Sequence, residues 1–256
     1  MSTTVDTSAR AHLCVPQSPK AHYARNFIKQ AVCELRFPTL YELEGPRPPA
    51  SFAHALRKDY PNHAVVESVT VGGPTPSRSN VHSFKSRQQH WTVNLTASSV
   101  VLETSQYDSF AEFKARLSHL VNAVGPIIDC DFFTRVGLRY INLLPYSRSG
   151  IRDWINPALV GALSDGVFGD ALEHHGRVGG SINGGSYLLQ HGLVAVLSGE
   201  SKEYTLDFDF SSEDVTIDNT LDVVQNLHDQ EHSLFEWALG PKAKLHLGPS
   251  DLKESR

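Results

Sequence analysis

Phe133-Thr-Arg-Val-Gly-Leu-Arg-Tyr-Ile-Asn-Leu-Leu144 carries the plainest strand pattern in the chain, rich in β-branched, aromatic and leucine residues and ended by Pro145-Tyr146. Side chains alternate across a strand, so Thr134, Val136, Leu138, Tyr140 and Leu144 share one face while Arg135, Gly137, Arg139 and Ile141 share the other. One face is built to be packed; the other bears two guanidinium groups. Leu138-Arg139-Tyr140 also echoes Leu35-Arg36-Phe37 near the start, an offset of 103 residues. At that offset Phe52 falls on Ile155, Leu56 on Leu159 and Tyr60 on Leu163, so two apolar helical stripes superpose without a gap.

The flanking sequence repeats one order of elements twice. Upstream, a strand over 27–37 places Cys33, Leu35 and Phe37 on one side and Glu34 and Arg36 on the other. A helical stripe of Phe52, Leu56 and Tyr60 stops at Pro61. Strands over 64–71, 81–86, 91–96 and 100–104 then form a meander with one apolar and one polar face. Ser109-Phe-Ala-Glu112 has the form of a capping box and opens a helix carrying Phe113, Leu117, Leu120, Val121 and Val124. Downstream come a helix over 153–163, strands over 172–182, 186–191 and 203–210, an Asn183-Gly184 turn, and a long helix over 220–239.

This order predicts an α+β fold: two similar strand-helix-strand-meander-helix units, related by internal duplication, forming a mainly antiparallel curved sheet with helices on one face. The expected division is a mobile tail over 1–21, a first unit over 22–128, a second over 129–242 and a C-terminal tail over 243–256. A single sheet wrapped round one long helix, with a cavity between them, is the competing arrangement.

Of the 256 residues, 40% are hydrophobic and 20% charged, which suits a soluble globular chain. The longest apolar run, Leu193-Val-Ala-Val-Leu197, is far short of the roughly 20 residues a spanning helix needs, and no signal peptide is evident, so the expectation is a cytoplasmic protein without a membrane partner. Three widely spaced cysteines, Cys14, Cys33 and Cys130, fit neither a disulfide framework nor a zinc ribbon. The net charge of −5 is uneven: residues 1–100 hold 11 Lys/Arg against 6 Asp/Glu, the remainder 12 against 22. That asymmetry disfavours a uniformly basic nucleic-acid surface.

Few motifs point to chemistry, and no catalytic set or cofactor is expected. His228-Asp-Gln-Glu-His232 satisfies H-x-x-E-H, the inverted zinc-protease spacing, with His228 and His232 one helical turn apart and Glu231 as base. Both histidines lie near the apolar stripe of Leu227, Leu234 and Phe235, so a structural helix face is the reading preferred over a metal site. The glycines at 176, 179, 180, 184 and 185 match neither a phosphate loop nor a dinucleotide fingerprint and are assigned to turns and bulges. The arginines carry more. Arg36 and Arg139 occupy matching places in the two passes, and Arg135 shares the strand face of Arg139. Planar guanidinium groups on an open sheet face suit carboxylates or phosphates. Asp207 and Asp209, on the polar face of the strand containing Tyr204, Leu206, Phe208 and Phe210, are the expected internal partners.

Val32-Cys-Glu-Leu-Arg-Phe37, Arg135-Val-Gly-Leu-Arg-Tyr-Ile-Asn142, Leu206-Asp-Phe-Asp-Phe210, and Leu227-His228 with Phe235-Glu236 together resemble a sporadically distributed bacterial family of uncharacterised proteins of about this length. The resemblance implies the boundaries and the cytoplasmic setting and supplies no activity. The expected function is therefore a non-enzymatic recognition protein whose sheet face, with Arg36, Arg135, Arg139, Asp207 and Asp209, binds a protein partner or an anionic ligand. A nucleic-acid-binding saddle, and a small-molecule-binding protein or enzyme with a cavity under the sheet, are the alternatives. The sequence leaves the oligomeric state open.

Overall fold

The computed structural model describes residues 12–18, 23–70, 77–195 and 202–248. Most of the two expected tails and the loop 72–76 lie outside them. The described residues form nine strands: β1 (Ile28–Arg36), β2 (Asn62–Thr70), β3 (Ser77–Lys85), β4 (Trp91–Leu95), β5 (Ser99–Thr104), β6 (Phe132–Pro145), β7 (His174–Ile182), β8 (Gly185–Ala195) and β9 (Lys202–Thr216). Six α-helices accompany them: α1 (Ala50–Leu56), α2 (Phe110–Val124), α3 (Ile151–Trp154), α4 (Pro157–Ser164), α5 (Thr220–Ala238) and α6 (Pro241–Leu247). The strands hydrogen-bond in the order β2-β3-β4-β5-β1-β6-β9-β8-β7 as an antiparallel sheet, so the class is α+β. In each pass the last meander strand returns beside the first strand of that pass, β5 beside β1 and β9 beside β6. The first meander has four strands and the second three. No described helix is long and apolar enough to cross a membrane.

Contacts divide the chain into two compact units that do not follow a cut at 128/129: residues 29–139 with 211–225, and residues 1–28 with 140–210 and 226–256. The long strands β6 and β9 contribute to both.

In the unit built on 29–139, the period-two pattern of β1 buries Ala31, Cys33 and Leu35 completely and leaves Val32 and Glu34 half exposed and Arg36 exposed. Cys33 pairs with Leu102 and Leu35 with Val100 on β5, and those residues pair on with Val93 and Leu95 of β4. Helices close this face: Phe52 of α1 meets Phe84 edge-on at 5.6 Å, and Phe113 of α2 lies 5.8 Å from Trp91. α1 ends at Leu56, earlier than the expected Pro61, yet Tyr60 stays buried because its N–H bonds the Leu56 carbonyl in a final turn. Only half of the capping box forms. Ser109 accepts the Glu112 N–H, while the Glu112 carboxylate turns forward to Arg116, whose guanidinium stacks 4.4 Å from the Trp91 ring.

In the other unit, Tyr204, Leu206, Phe208 and Phe210 of β9 are fully buried, and Phe208 meets Phe235 of α5 edge-on at 6.1 Å. The helix expected over 153–163 is two helices. Pro157 forces Asn156 out of the helical region (φ −53°, ψ 128°), and the broken segment pairs with the chain end, Ile155 bridging to Leu239. Asn156 then caps α4 by accepting the Ala158 N–H and donates to the Trp237 carbonyl at 2.7 Å. Both expected tails contain structure. His12 bridges to Ser181 of β7, and α6 occupies 241–247.

Candidate functional site

Glu34 of β1 stands between two arginines. Arg36, two residues along the same strand face, places Nε 2.9 Å from Glu34 Oε2, and Arg135 of β6 places Nη1 3.0 Å from the same oxygen. Arg135 reaches it by folding along its own strand over Gly137, where an added Cβ would lie 2.3 Å from Nη1. The absent side chain at 137 is what gives the guanidinium room. Arg135 is mostly covered, whereas the Arg36 side chain is 53% exposed. One carboxylate oxygen thus faces two guanidinium groups on a half-exposed sheet face, and Arg135 has interactions beyond this one. Behind it Cys33 is buried; burial, helped by the Glu34 charge and opposed by Arg135, pushes its thiol up to about 12. Such a thiol is no nucleophile.

To the expected arginine partners Asp207 and Asp209 the structure adds Glu34, at the centre of the cluster. The signal for it was present: Glu34 and Arg36, two apart on a strand, must share a face. Arg139 is half buried farther along β6, and neither it nor Asp207 nor Asp209 is a free side chain.

The other unit holds a buried acid. Glu231 of α5 is 1% exposed, and neither carboxylate oxygen has a hydrogen-bond partner among the described residues. Burial, then the nearby charges of Asp209 and Asp207, raise its carboxyl well above the usual range, opposed only by the Tyr140 backbone. Burial thus favours the protonated form of Glu231. Its neighbours in H-x-x-E-H do not gather round it as ligands. His228 Nδ1 is 3.2 Å from the Tyr140 hydroxyl, and the His232 ring lies 6.3 Å from Tyr23. Tyr23 donates to Glu236, and burial together with that bond raises the phenol. No group of three or more His, Cys, Asp or Glu among the described residues is placed to hold a metal ion.

A third polar chain escaped sequence reasoning. The buried Tyr204 hydroxyl lies 2.6 Å from His191 Nδ1 and 3.3 Å from the Leu159 carbonyl. Burial, with a smaller effect of His174, lowers His191 to about 4, so the imidazole is neutral. The glycines opposite explain part of the Gly-rich stretch. Gly176 pairs with His191 and Gly180 with Tyr187, and Cβ atoms there would lie 2.1 Å from the imidazole and 2.9 Å from the phenol ring. Two large rings of β8 lie across bare backbone of β7, a role for the glycines beyond turns and bulges. Nothing in composition or spacing announces His191, a lone histidine in an apolar run.

Two clefts accompany these clusters. One of about 390 Å³ is lined by Arg148, Ser149, Ile151, Arg152, Leu163 and Ser164. Another of about 250 Å³ lies between Leu13, Val15, Gln17 and the α5 residues Asp229, His232 and Ser233.

No family model matches the chain, and no curated protein is similar to it at a significant level.

Proposed function

We propose that the protein is a non-enzymatic recognition module, built by internal duplication, whose Glu34–Arg36–Arg135 cluster engages a carboxylate or phosphate presented by a partner. The observation that carries this reading is the shared Glu34 oxygen. A single carboxylate oxygen meets two guanidinium groups, and that of Arg36 stands in solvent. The Cys33 thiol and the Glu231 carboxyl are buried and His191 is neutral, so none of the three is an exposed nucleophile or base, which favours recognition over catalysis. The equal order of elements in the two passes, with β5 beside β1 and β9 beside β6, supports the duplication.

Glu34 competes with the incoming anion for both arginines, so its removal and theirs act in opposite directions. Titration with a phosphorylated or polyacidic peptide should show Glu34→Gln binding more tightly than the parent. Arg36→Ala should bind about tenfold more weakly, near 1.4 kcal/mol, with an unchanged melting temperature. Weaker binding in Glu34→Gln, or a response to neither substitution, defeats the proposal.

A further inference from the structure

The larger cleft gathers cations and no acid. A 3-10 turn over Arg148–Gly150 leads directly into α3, and α4 packs against both. The cleft of about 390 Å³ between them is lined by Arg148, Ser149, Ile151, Arg152, Leu163 and Ser164. All six belong to the unit that contains 140–210. Ile151 and Leu163 are buried and give the cleft an apolar side beneath two guanidinium groups. Like charges collected on one cleft repel each other until an anion stands between them.

The chain's own acids do not take that place. Asp165 accepts the Val167 N–H at 3.1 Å within its own loop, and Asp170 meets Arg148 at 3.1 Å with its side chain 82% exposed. Neither they nor Asp153 line the cleft. Arg148 also donates to the Gly166 carbonyl, which steadies its guanidinium. Arg152 is exposed and makes no ion pair, side-chain hydrogen bond or ring contact among the described residues, and the Ser149 hydroxyl makes none either. Ser164 donates to the Gly161 carbonyl and so has no proton to offer. Two planar guanidinium groups and a hydroxyl present more donors than the oxygens of one carboxylate can use. A phosphate monoester has three terminal oxygens and nearly two negative charges at pH 7, matching the two arginines. Small-molecule pockets span roughly 300–1,000 Å³, so the cleft has room for an organic body as well as the anion. We propose that this cleft binds a small organic phosphate, its phosphoryl group between Arg148 and Arg152 and its apolar part against Ile151 and Leu163.

Isothermal titration calorimetry of the full chain with phenyl phosphate, inorganic phosphate and benzoate tests this. Variants are compared in an Arg36→Ala background, so that anions held at the Glu34 cluster do not contribute. Phenyl phosphate should bind most tightly, because inorganic phosphate lacks the apolar part and benzoate lacks the third oxygen and the second charge. Arg152→Ala should weaken phenyl phosphate about tenfold. Its melting temperature should not change, since Arg152 supports no described residue. Absence of binding at millimolar concentration overturns the proposal, as does an Arg152→Ala variant that binds like its background. Benzoate binding as tightly as phenyl phosphate would overturn the choice of phosphate, and inorganic phosphate doing so would overturn the apolar contact.

Discussion

Glu34 and Glu231 are the same side chain placed under opposite rules. Glu34 is half exposed, has two guanidinium partners, and sits where water screens whatever those partners contribute. Glu231 is buried on α5 with no hydrogen-bond partner for either oxygen among the described residues, and burial favours its protonated form. The exposed cluster can therefore change hands with a ligand at little cost to the fold. The buried one resists change and reports on it. A residue's chemistry here follows its partners and solvent, so mutations near the two sites should differ more in kind than in position.

Glycines give the sharpest break in that comparison. At Gly192, in the unit that holds Glu231, an added Cβ would lie 1.9 Å from the backbone carbonyl oxygen of His174, and backbone cannot swing aside. β7 and β8 would have to part at a registered pair. Gly192→Ala should cost about 2–4 kcal/mol, lowering the melting temperature by roughly 5–10 °C. Gly179→Ala, whose Cβ meets nothing closer than 3.5 Å, is the control in the same hairpin. Equal melting temperatures for the two variants would remove the claim that the His174 strand rests on Gly192.

The next effect is in pH. A carboxyl raised on folding binds its proton more tightly in the native state, so the stability it contributes is full below its unfolded value near 4.5 and is lost as pH climbs toward the folded value. Glu231→Gln keeps the shape and removes the titration. The stability of the parent relative to Glu231→Gln should therefore fall as pH climbs above about 4.5 toward the raised folded value, by at most about 1.4 kcal/mol per pH unit. His191 works on the acid side. Its folded value near 4 lies below the usual 6.5, so its contribution is present above 6.5 and is lost as pH falls toward 4. Denaturant midpoints across that range decide both signs. A parent and a Glu231→Gln variant that run parallel from acid to alkaline pH would show that the Glu231 carboxyl is not raised on folding.

How much of this could be read beforehand follows from the range of each interaction. β1 and β6 were legible because period-two burial is written in consecutive residues, and the structure departs from the expected ends by one or two positions. Prolines were poor guides to helix ends: α1 stops at Leu56, before Pro61, and at Pro157 tolerance in a first turn hid the break just before it. Arg36 was legible as a candidate because it matches Arg139 at the 103-residue offset, and Arg135 because it shares the strand face of Arg139. Glu34 as their common partner was only half written, since it needs the β1–β6 neighbourhood as well as the i, i+2 spacing. The burial of Glu231, and the Tyr204–His191 contact, depend on what covers them, and nothing local to either residue encodes that.

The smallest effect returns to the exposed cluster. Gly137→Ala places a methyl where Arg135 Nη1 now lies, but the obstacle is the end of a flexible side chain, which can swing away. The fold should lose less than about 1 kcal/mol, in keeping with the worth of a surface ion pair. What changes is the geometry: Arg135 is lifted from Glu34, and Arg36 keeps the carboxylate to itself. Anion binding should then fall about as far as in Arg135→Ala, and combining Gly137→Ala with Arg135→Ala should weaken it little further, because both act on one guanidinium. Additive losses in that double variant would mean that Gly137 serves the sheet and not the cluster.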